Sequence, residues 1–431
     1  MNTINKPRGT KDILPSEIYK WYYVENAFRQ ICAAYGFGEM RTPMFEYTQL
    51  FKRGVGETTD VVQKEMFSVM SGIELKKYVA SGELKADQDF TLKPEGTAPV
   101  VRAFIENKIY AEPQPSKIFY ITPCFRHERP QAGRLRQFHQ FGIETFGSYE
   151  PSADAEVIAL GHYFFQQLGV TDLELHINSI GCPKCKPVYG RILREFLGSR
   201  LDKLCGTCQE RYTTNPMRIL DCKVESCQEA IQGAPYMLEH LCEECQDHFD
   251  RTKAYLTVMQ VPFSVDPGIV RGLDYYNRTA FEFVTGSIGA QSTVCGGGRY
   301  DGLIESVGGP AVPGVGFGLG IERLLMMLES LGIEIPKPAP MDVFIVALGE
   351  KAFVRGMELL CTLRSAGLKA EIDHLKRSTK AQFKFADKVG ARYSLIIGDD
   401  ELDKGEAQLK DMASGEQKGV GFDAVVGALK G

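Results

Sequence analysis

The stretch Phe125-Arg-His-Glu-Arg-Pro-Gln-Ala-Gly-Arg-Leu-Arg-Gln-Phe-His-Gln-Phe-Gly-Ile-Glu144 decides the fold, because it predicts two strands joined by a polar, arginine-rich loop. Alternate residues of a strand lie on one face, and the second strand presents Phe138, Gln140, Gly142 and Glu144 together. On the preceding strand Arg126 and Glu128 share a face. An aromatic ring can stack on a base, and an arginine can bind a phosphate in forked geometry. The stretch therefore predicts a nucleotide-binding face; the alternative is an exposed antiparallel face with solvated ion pairs.

Two other polar segments accompany it. Arg271-Gly-Leu-Asp-Tyr-Tyr-Asn-Arg-Thr-Ala-Phe-Glu282 combines strand formers with an arginine, carboxylates and paired tyrosines. A core strand does not need such groups, and burying them without partners costs free energy. This segment is therefore predicted to line a site. Leu92-Lys-Pro-Glu-Gly-Thr-Ala-Pro99 predicts a turn, which alone is equally typical of an ordinary surface loop.

A glycine-rich strand precedes the last helix of the larger part of the chain. In Gly314-Val-Gly-Phe-Gly-Leu-Gly-Ile-Glu-Arg323 every second residue from 314 to 320 is glycine, so one face of the strand carries no side chains. A ligand can approach such a backbone closely. A Rossmann loop is the weaker interpretation, because the glycine spacing is wrong and no βαβ context follows. A Walker A loop is absent from the sequence.

Taken in order, these segments resemble the motifs of class II aminoacyl-tRNA synthetases. The helix predicted over 16–35 with Arg41-Thr-Pro43 resembles motif 1, Phe125–Glu144 resembles motif 2, and Gly314–Arg323 resembles motif 3. Arg271–Glu282 and Cys295-Gly-Gly-Gly-Arg-Tyr-Asp-Gly302 resemble the two signatures of histidyl-tRNA synthetases of bacterial type. The resemblance covers essentially the whole chain.

The resemblance implies an ATP site. Arg126 would hold the α-phosphate and Arg323 the γ-phosphate, while Glu128 would lie near the adenine and Phe138 would stack on it. Magnesium would bridge the phosphates. Two arginines on opposite sides of a bent triphosphate would offset charge where pyrophosphate leaves.

The resemblance also implies a histidine site. Glu95, Thr97 and Gln140 would bind the α-ammonium group, and Arg271 the carboxylate and the α-phosphate. An imidazole needs a partner for each ring nitrogen, and the resemblance assigns these roles to Glu144 and Tyr276. Tyr300 would wall the pocket, and Tyr275 is expected to pack rather than bind.

The implied activity is that of a histidine–tRNA ligase: histidine and ATP form histidyl-adenylate, and histidine then passes to the 3′ end of its tRNA. No side chain identifies itself as the general base of the second step. The alternative is the histidine-sensing regulatory subunit of ATP phosphoribosyltransferase. That subunit loses parts of the catalytic signature and lacks the anticodon-binding domain, whereas Arg126, Arg271 and Arg323 are all present here.

The predicted fold class is an α+β catalytic domain with a mainly antiparallel class II synthetase sheet, an inserted domain and a C-terminal α/β anticodon-binding domain. The expected bounds are 1–332 for the catalytic domain with an insertion at about 181–255, 333–340 for a linker and 341–431 for the last domain. Within the first domain, Met40–Glu46 is predicted to be a strand with a proline. The last domain should contain a parallel or mixed sheet.

Cysteines are unusually frequent in the insertion. Eight of the twelve lie between Cys182 and Cys245. Two C-x-x-C pairs have the spacing of a four-thiolate zinc site: Cys182, Cys185, Cys205 and Cys208. Cys242, Cys245, Cys222 and Cys227 could supply others. A structural zinc ion is therefore one candidate, and free thiols in a reducing compartment are the other.

Composition limits the remaining possibilities. The chain has 431 residues, 44% hydrophobic content and a net charge of −5, which is typical of a globular protein and not of one that coats nucleic acid. A local run at 369–392 has seven basic and three acidic residues and is a candidate RNA contact. No apolar run is long enough for a membrane span, and no signal region appears at the N-terminus, so we expect a cytoplasmic protein. Motif 1 predicts a homodimer.

Overall fold

The largest sheet carries three of the segments quoted above: Phe125–Glu144, Arg271–Glu282 and Gly314–Arg323. A computed structural model describes residues 3–82, 88–286 and 293–430 of the chain, which divides into two units, Met1–Pro336 and Lys337–Gly431. The strands of the first unit are β1 (Gly38–Glu39), β2 (Phe45–Tyr47), β3 (Phe67–Val69), β4 (Phe90–Leu92), β5 (Ser116–Phe125), β6 (Gln137–Phe146), β7 (Glu174–Ser179), β8 (Ser264–Val265), β9 (Asn277–Val284), β10 (Thr293–Arg299) and β11 (Gly314–Gly320).

Helices cover and extend this framework. Those of the first unit are α1 (Ile18–Ala34), α2 (Thr48–Val55), α3 (Gly72–Ser81), α4 (Thr97–Glu106), α5 (Pro151–Gln167), α6 (Cys185–Gly198), α7 (Gly206–Thr214), α8 (Glu225–Ala230), α9 (Glu243–Val258), α10 (Leu303–Ser306) and α11 (Ile321–Ser330).

Eight strands form one sheet in the order β1-β5-β6-β11-β10-β9-β7-β8. Only the two edge pairs, β1 with β5 and β7 with β8, are parallel, and the other pairs are antiparallel. The predicted mainly antiparallel sheet is thus confirmed. Strands β2, β4 and β3 form a separate small antiparallel sheet.

The two faces of the large sheet differ because its strands alternate. Phe141 and Ile143 of β6 belong to the main hydrophobic core, where Phe28 of α1 stacks on Phe141 with ring centroids 4.4 Å apart. Helix α5 contributes Phe164 to the same cluster. The even-numbered residues of β6 therefore lie on the opposite face, as the alternation predicted, and that face holds the candidate site.

The predicted strand Met40–Glu46 is wrong for most of its length. Met40 still donates its backbone N–H to Phe119 of β5, at 2.8 Å, but regular pairing resumes only at Phe45, whose partner is Leu92 of β4. Pro43 has no N–H and cannot continue a ladder. The chain therefore leaves one sheet and joins another across the proline.

The segment between β7 and β8 builds a small core of its own from α6, α7, α8 and the start of α9. The rest of α9 packs elsewhere, since Phe249 and Leu256 belong to the main core. The insertion is therefore attached to the sheet through the helix that ends it.

The second unit alternates strands and helices up to residue 397, as expected for an α/β domain. Its elements are β12 (Val343–Ala347), α12 (Glu350–Ser365), β13 (Ala370–Ile372), α13 (Thr379–Lys388), β14 (Tyr393–Ile397), α14 (Asp399–Lys404), β15 (Glu406–Asp411), β16 (Gln417–Gly421) and α15 (Val425–Lys430). The sheet order is β13-β12-β14-β15-β16, with the first three strands parallel and the last two antiparallel. Of the two alternatives, the mixed sheet is found. Across the described ranges, no helix is both long and apolar enough to cross a membrane.

Candidate active site

A cleft of about 470 Å³ opens over the β6, β9, β10 and β11 part of the large sheet. Nine of the residues predicted for the site line it: Glu95, Thr97, Arg126, Glu128, Phe138, Gln140, Arg271, Tyr276 and Arg323. Tyr275, expected only to pack, lines it as well. Glu144 and Tyr300 are buried, with 1% exposure each, and contact each other.

The bare face of β11 makes room for polar side chains of the neighbouring strand. A Cβ atom on Gly316 would lie 2.1 Å from Glu144 Oε2, and one on Gly318 would lie 2.2 Å from Gln140 Nε2. Gly318 pairs with Gly142 of β6, and Gly316 with Glu144. Gly316 and Gly318 are therefore required because Glu144 and Gln140 occupy the space that side chains on β11 would fill.

Glu144 is a buried carboxyl group with one partner. The Tyr300 hydroxyl donates to Oε2, whereas Oε1 has no hydrogen-bond partner among the residues that the structure describes. Burial raises the pKa of Glu144 to about 8, against the opposing effect of the Tyr300 hydrogen bond. Tyr300, predicted only to wall the pocket, is thus the hydroxyl bonded to Glu144. The unpaired oxygen is a buried polar atom that needs a ligand partner: it donates to a ring nitrogen while the carboxyl group is protonated and accepts from a ring N–H once the group is ionised.

This raised pKa has a consequence for stability that can be measured without a ligand. Between the ordinary pKa of 4.5 and about 8, the folded protein keeps a proton on Glu144 that the unfolded chain releases. Stability must therefore fall as the pH rises through that window. Glutamine cannot ionise, so we expect the melting temperature of Glu144→Gln to fall less steeply than that of the wild type between pH 5 and 8. Glu305→Gln, which changes an exposed carboxylate of α10, is the control. Parallel curves for wild type and Glu144→Gln would contradict the account.

Glu95 and Gln140 hold the loop before α4. The Glu95 carboxylate accepts from the backbone N–H groups of Thr97 and Ala98, both at 2.8 Å. Gln140 Oε1 accepts from the Gly96 N–H at 3.1 Å, which leaves its amide nitrogen for another acceptor. Burial raises the pKa of Glu95, although the backbone N–H groups oppose the shift. The loop thus presents a buried acidic group to the cleft.

Tyr120 is a site residue that the sequence did not reveal. Its buried ring lies between two glycines, since a Cβ on Gly96 or Gly142 would come within 2.2 and 2.1 Å of ring atoms. Its hydroxyl is 3.4 Å from Thr97 Oγ1. The only available signal was Gly142 itself, because a glycine inside a strand often marks the close approach of another group.

Positive charge collects at the other end of the cleft. Arg126 donates from Nε to the Pro94 carbonyl at 2.9 Å and lies 5.4 Å from the centre of the Phe138 ring. Arg323 donates to the carbonyl oxygens of Gly133 and Thr293, at 3.1 and 3.0 Å. Burial, with further effects of Arg134 and Arg126, lowers the pKa of Arg323. Five arginines line the cleft, and guanidinium groups that converge on one place are suited to a phosphate ligand.

Arg271 has a partner that sequence reasoning missed. Its Nη1 donates to Glu282 Oε1, and Thr293 Oγ1 donates to the other Glu282 oxygen at 2.9 Å. A Cβ on Gly296 would lie 2.6 Å from the Arg271 guanidinium, so the glycine is needed for its position. Arg218, from the insertion, also lines the cleft and donates to the Gly272 carbonyl at 2.7 Å.

The predicted grouping of the cysteines is wrong. Cys182 and Cys185 lie with Cys242 and Cys245, whereas Cys205 and Cys208 lie with Cys222 and Cys227. We call these the proximal and the distal tetrad. The reason is topological: α6 separates the first two C-x-x-C pairs, and the start of α9 returns the third pair to the base of the insertion. Spacing along the chain could not show that return.

The antiparallel sheet and the arginine-bearing cleft have the architecture of a class II aminoacyl-tRNA synthetase. Residues 9–324 match the family described as Histidyl-tRNA synthetase, and residues 342–431 match the Anticodon binding domain family. The chain belongs to the histidyl-tRNA synthetase family.

Individual proteins agree with this assignment. A histidine–tRNA ligase of Clostridioides difficile is 56% identical over 98% of each chain, and one of Caldanaerobacter subterraneus subsp. tengcongensis is 54% identical over 98% of this chain and 99% of its own. The crystal structure of apo S. aureus histidyl-tRNA synthetase superposes with a TM-score of 0.82 at 39% identity over 100% of both chains. The predicted aminoacyl-tRNA ligase is therefore confirmed over the regulatory-subunit alternative.

Proposed function

We propose that the cleft activates histidine with ATP and transfers it to the 3′ end of its tRNA. The observation that carries the proposal is a cleft that pairs a guanidinium-rich end with an end lined by the buried carboxyl group of Glu95. A second buried carboxyl group, Glu144, lies on the same face of β6 as Gln140, which also lines the cleft. The first end suits a triphosphate and the second an amino acid with a basic side chain.

At the nucleotide end, Arg126 holds the α-phosphate and Arg323 the γ-phosphate of ATP. Phe138 stacks on the adenine, near Glu128. Support comes from the Arg126–Phe138 contact, which sets a phosphate group and a base side by side, and from the carbonyls that fix Arg323. Fixed positive charge lowers the barrier, since it stabilises the charge that develops on the leaving pyrophosphate.

Magnesium fits this end of the cleft. Burial, with a contribution from the carboxylate of Glu128, raises the pKa of Glu65, which also lines the cleft. Carboxylates next to phosphates are the ligands that Mg²⁺ prefers, so Glu65 and Glu128 would hold the ion. When bound, it would neutralise phosphate charge.

At the amino-acid end, Glu95, Thr97 and Gln140 bind the α-ammonium group, and Arg271 binds the carboxylate and the α-phosphate. Glu144 accepts from one imidazole nitrogen through its unpaired Oε1, and Tyr276 meets the other nitrogen, with Tyr300 as the pocket wall. The histidine carboxylate then attacks the α-phosphorus and pyrophosphate leaves. Positioning dominates this step, because both reactants are held for in-line attack.

Histidine specificity tests this proposal. We expect wild-type protein to exchange pyrophosphate into ATP with histidine and with no other standard amino acid. A side chain that left Glu144 unpaired would bind poorly, because a buried acceptor without a donor costs about 1–3 kcal/mol. Equal exchange with glutamine or asparagine would refute the assignment.

Gly318→Ala tests the role of Gln140. The added methyl group would lie 2.2 Å from Gln140 Nε2, the movable end of a side chain, so the fold should persist while Gln140 is displaced. We expect the KM for histidine in pyrophosphate exchange to rise about tenfold, the effect of one lost hydrogen bond to a charged group. Gly302→Ala, which meets no atom within 4 Å, is the matched control. An unchanged KM would mean that Gln140 does not bind histidine.

The organisation of the chain follows the same proposal. Residues 1–332 form the catalytic domain with an insertion at about 181–255, and residues 341–431, after a linker at 333–340, read the tRNA. Support for the last role comes from Lys380, Lys384 and Lys388, which are exposed and spaced by four on α13. The helix of motif 1 supports a homodimer, the tRNA ligase activity supports a cytoplasmic location, and the cysteine tetrads support structural zinc.

A further inference from the structure

We propose that the insertion binds two zinc ions, one in each cysteine tetrad, and that the distal ion holds Arg218 in the active-site cleft. The metal half is independent of the proposed function. The Arg218 half rests on it, because the cleft must be the site of adenylate formation.

The sulfur atoms have the spacing of ligands around a single ion. Cys182 Sγ lies 3.7 Å from Cys185 Sγ and 3.8 Å from Cys242 Sγ, and in each tetrad all four sulfurs lie within 4.8 Å of one another. In the distal tetrad Cys205 Sγ lies 3.9 Å from Cys222 Sγ. A tetrahedron with metal–sulfur bonds of about 2.3 Å has edges of about 3.8 Å. A disulfide needs about 2.05 Å, and a cluster with bridging sulfides would need wider edges.

Backbone groups in both tetrads already point at the sulfurs. The Cys242 N–H donates to Cys185 Sγ at 3.2 Å and the Lys184 N–H to Cys182 Sγ at 3.4 Å. In the distal tetrad the Cys205 N–H donates to Cys227 Sγ at 3.1 Å. Such donors stabilise thiolates and orient metal ligands. Four thiolates in tetrahedral arrangement suit zinc, and a single iron ion is the alternative that elemental analysis distinguishes.

The core of the insertion is too small to hold these segments by packing alone. Six of its fourteen buried hydrophobic residues are cysteines of the tetrads. Helices α7 and α8 have nine and six residues, below the roughly 12–15 needed for an isolated helix to be even marginally stable. Domains of this kind commonly depend on a metal ion.

The distal tetrad encloses the segment that reaches the cleft. Arg218 lies between Cys208 and Cys222, on the turn Pro216–Ile219. The same segment contacts the catalytic part three more times: Arg211 donates to Asp60 at 2.8 Å, Asn215 donates to Asp274 at 3.0 Å, and Arg218 Nη2 lies 3.9 Å from Asp60. Arg218 thus enters the cleft beside Asp60 from a segment whose two ends are held by cysteines of the distal tetrad.

The proximal tetrad lies at the other attachment point. Lys186, one residue after Cys185, donates from Nζ to the Tyr276 carbonyl at 2.5 Å. Gly181, one residue before Cys182, accepts from the Arg278 N–H at 2.9 Å. The proximal ion therefore holds the point at which the insertion leaves the sheet. The distal ion holds Arg218, the residue of the insertion that lines the cleft.

Metal counting on the full chain tests the first half. Wild-type protein purified without chelator should contain about two zinc ions per chain by elemental analysis, and a mercurial should release both to a chromogenic chelator. The double variants Cys205→Ser/Cys208→Ser and Cys182→Ser/Cys185→Ser should each retain one. Cys361→Ser, an exposed cysteine outside the insertion, should retain two. Fewer than two zinc ions in the wild type, or iron in their place, would overturn the proposal whether or not the variants fold.

Pyrophosphate exchange tests the second half. Arg218→Ala should raise the KM for ATP about tenfold, and Cys205→Ser/Cys208→Ser should raise it equally. The variant that combines Arg218→Ala with Cys205→Ser and Cys208→Ser should show no further increase in the KM for ATP, because the distal ion acts through Arg218. Additive effects, or an unchanged KM in Arg218→Ala, would overturn this half. Wild-type protein with two zinc ions and no histidine-dependent exchange would refute the proposed function and leave the metal sites standing.

Discussion

Replacing Arg271 with alanine is expected to lower histidine-dependent pyrophosphate exchange by about 10³-fold, the loss typical of a fixed positive group that stabilises developing charge. Arg271 lines the cleft, and Glu282 and Gly296 fix its guanidinium. Its removal should leave the sheet intact, because Glu282 keeps the Thr293 hydroxyl as a donor at 2.9 Å. Pyrophosphate-exchange kinetics and a thermal melt of the same sample distinguish a loss of activity from a loss of stability.

A fully buried arginine of β10 provides the contrast. Arg299 is 0% exposed and donates to the buried Asp154 carboxylate, to Asp301 and to backbone carbonyls. Breaking a buried ion pair costs about 3–5 kcal/mol, so Arg299→Ala should lower the melting temperature strongly. If Arg271→Ala lowered it as much, Arg271 would be structural and its proposed role would fail.

Removing the chain after Pro340 should separate the two half-reactions. Every proposed ATP and histidine contact lies before residue 332, so pyrophosphate exchange should persist close to the wild-type rate. The exposed lysines of α13 are lost with the removed piece. We expect kcat/KM for tRNA charging to fall about 100-fold, with a larger loss at higher salt, because phosphate contacts are screened by ions.

Point variants distinguish lost charge from a lost domain. Lys380, Lys384 and Lys388 changed together to glutamine should reproduce part of the charging defect in the intact chain. Lys351, Lys404 and Lys418 are also exposed. Changing these three lysines to glutamine removes the same charge and should not reproduce the charging defect. Sedimentation must show that the truncated protein assembles as the full chain does. Full charging by the truncated protein at low tRNA concentration would show that this unit does not bind RNA.

Local periodicity was enough to predict the elements that build the site. Alternation along β6 correctly separated Phe141 and Ile143 from Gln140 and Glu144, and alternating glycines identified the bare face of β11. The apolar spacing over Ile321–Leu331 predicts a helix, and α11 ends only one residue earlier, at Ser330. These features depend on neighbours two to four residues apart, and the sequence shows such neighbours directly.

Long-range contacts explain most of what was missed. Which cysteines meet depends on where α9 returns, and the role of Tyr120 depends on two glycines from different segments. Likewise, Arg271 and Glu282 meet only because β9 and the loop before it fold together. The sequence did not reveal strands β15 and β16 for another reason. Only Ala407, Leu409 and Val420 are buried, and the other residues of these strands are polar or glycine, so the apolar alternation is weak.

The most direct test of the central claim is a crystal structure with histidine and a non-hydrolysable ATP analogue bound. The account predicts that one imidazole nitrogen lies within hydrogen-bond distance of Glu144 Oε1, the atom without a partner among the described residues. It also predicts the α-phosphate at Arg126 and the γ-phosphate at Arg323. An imidazole bound away from Glu144, or a triphosphate that contacts neither arginine, would contradict it.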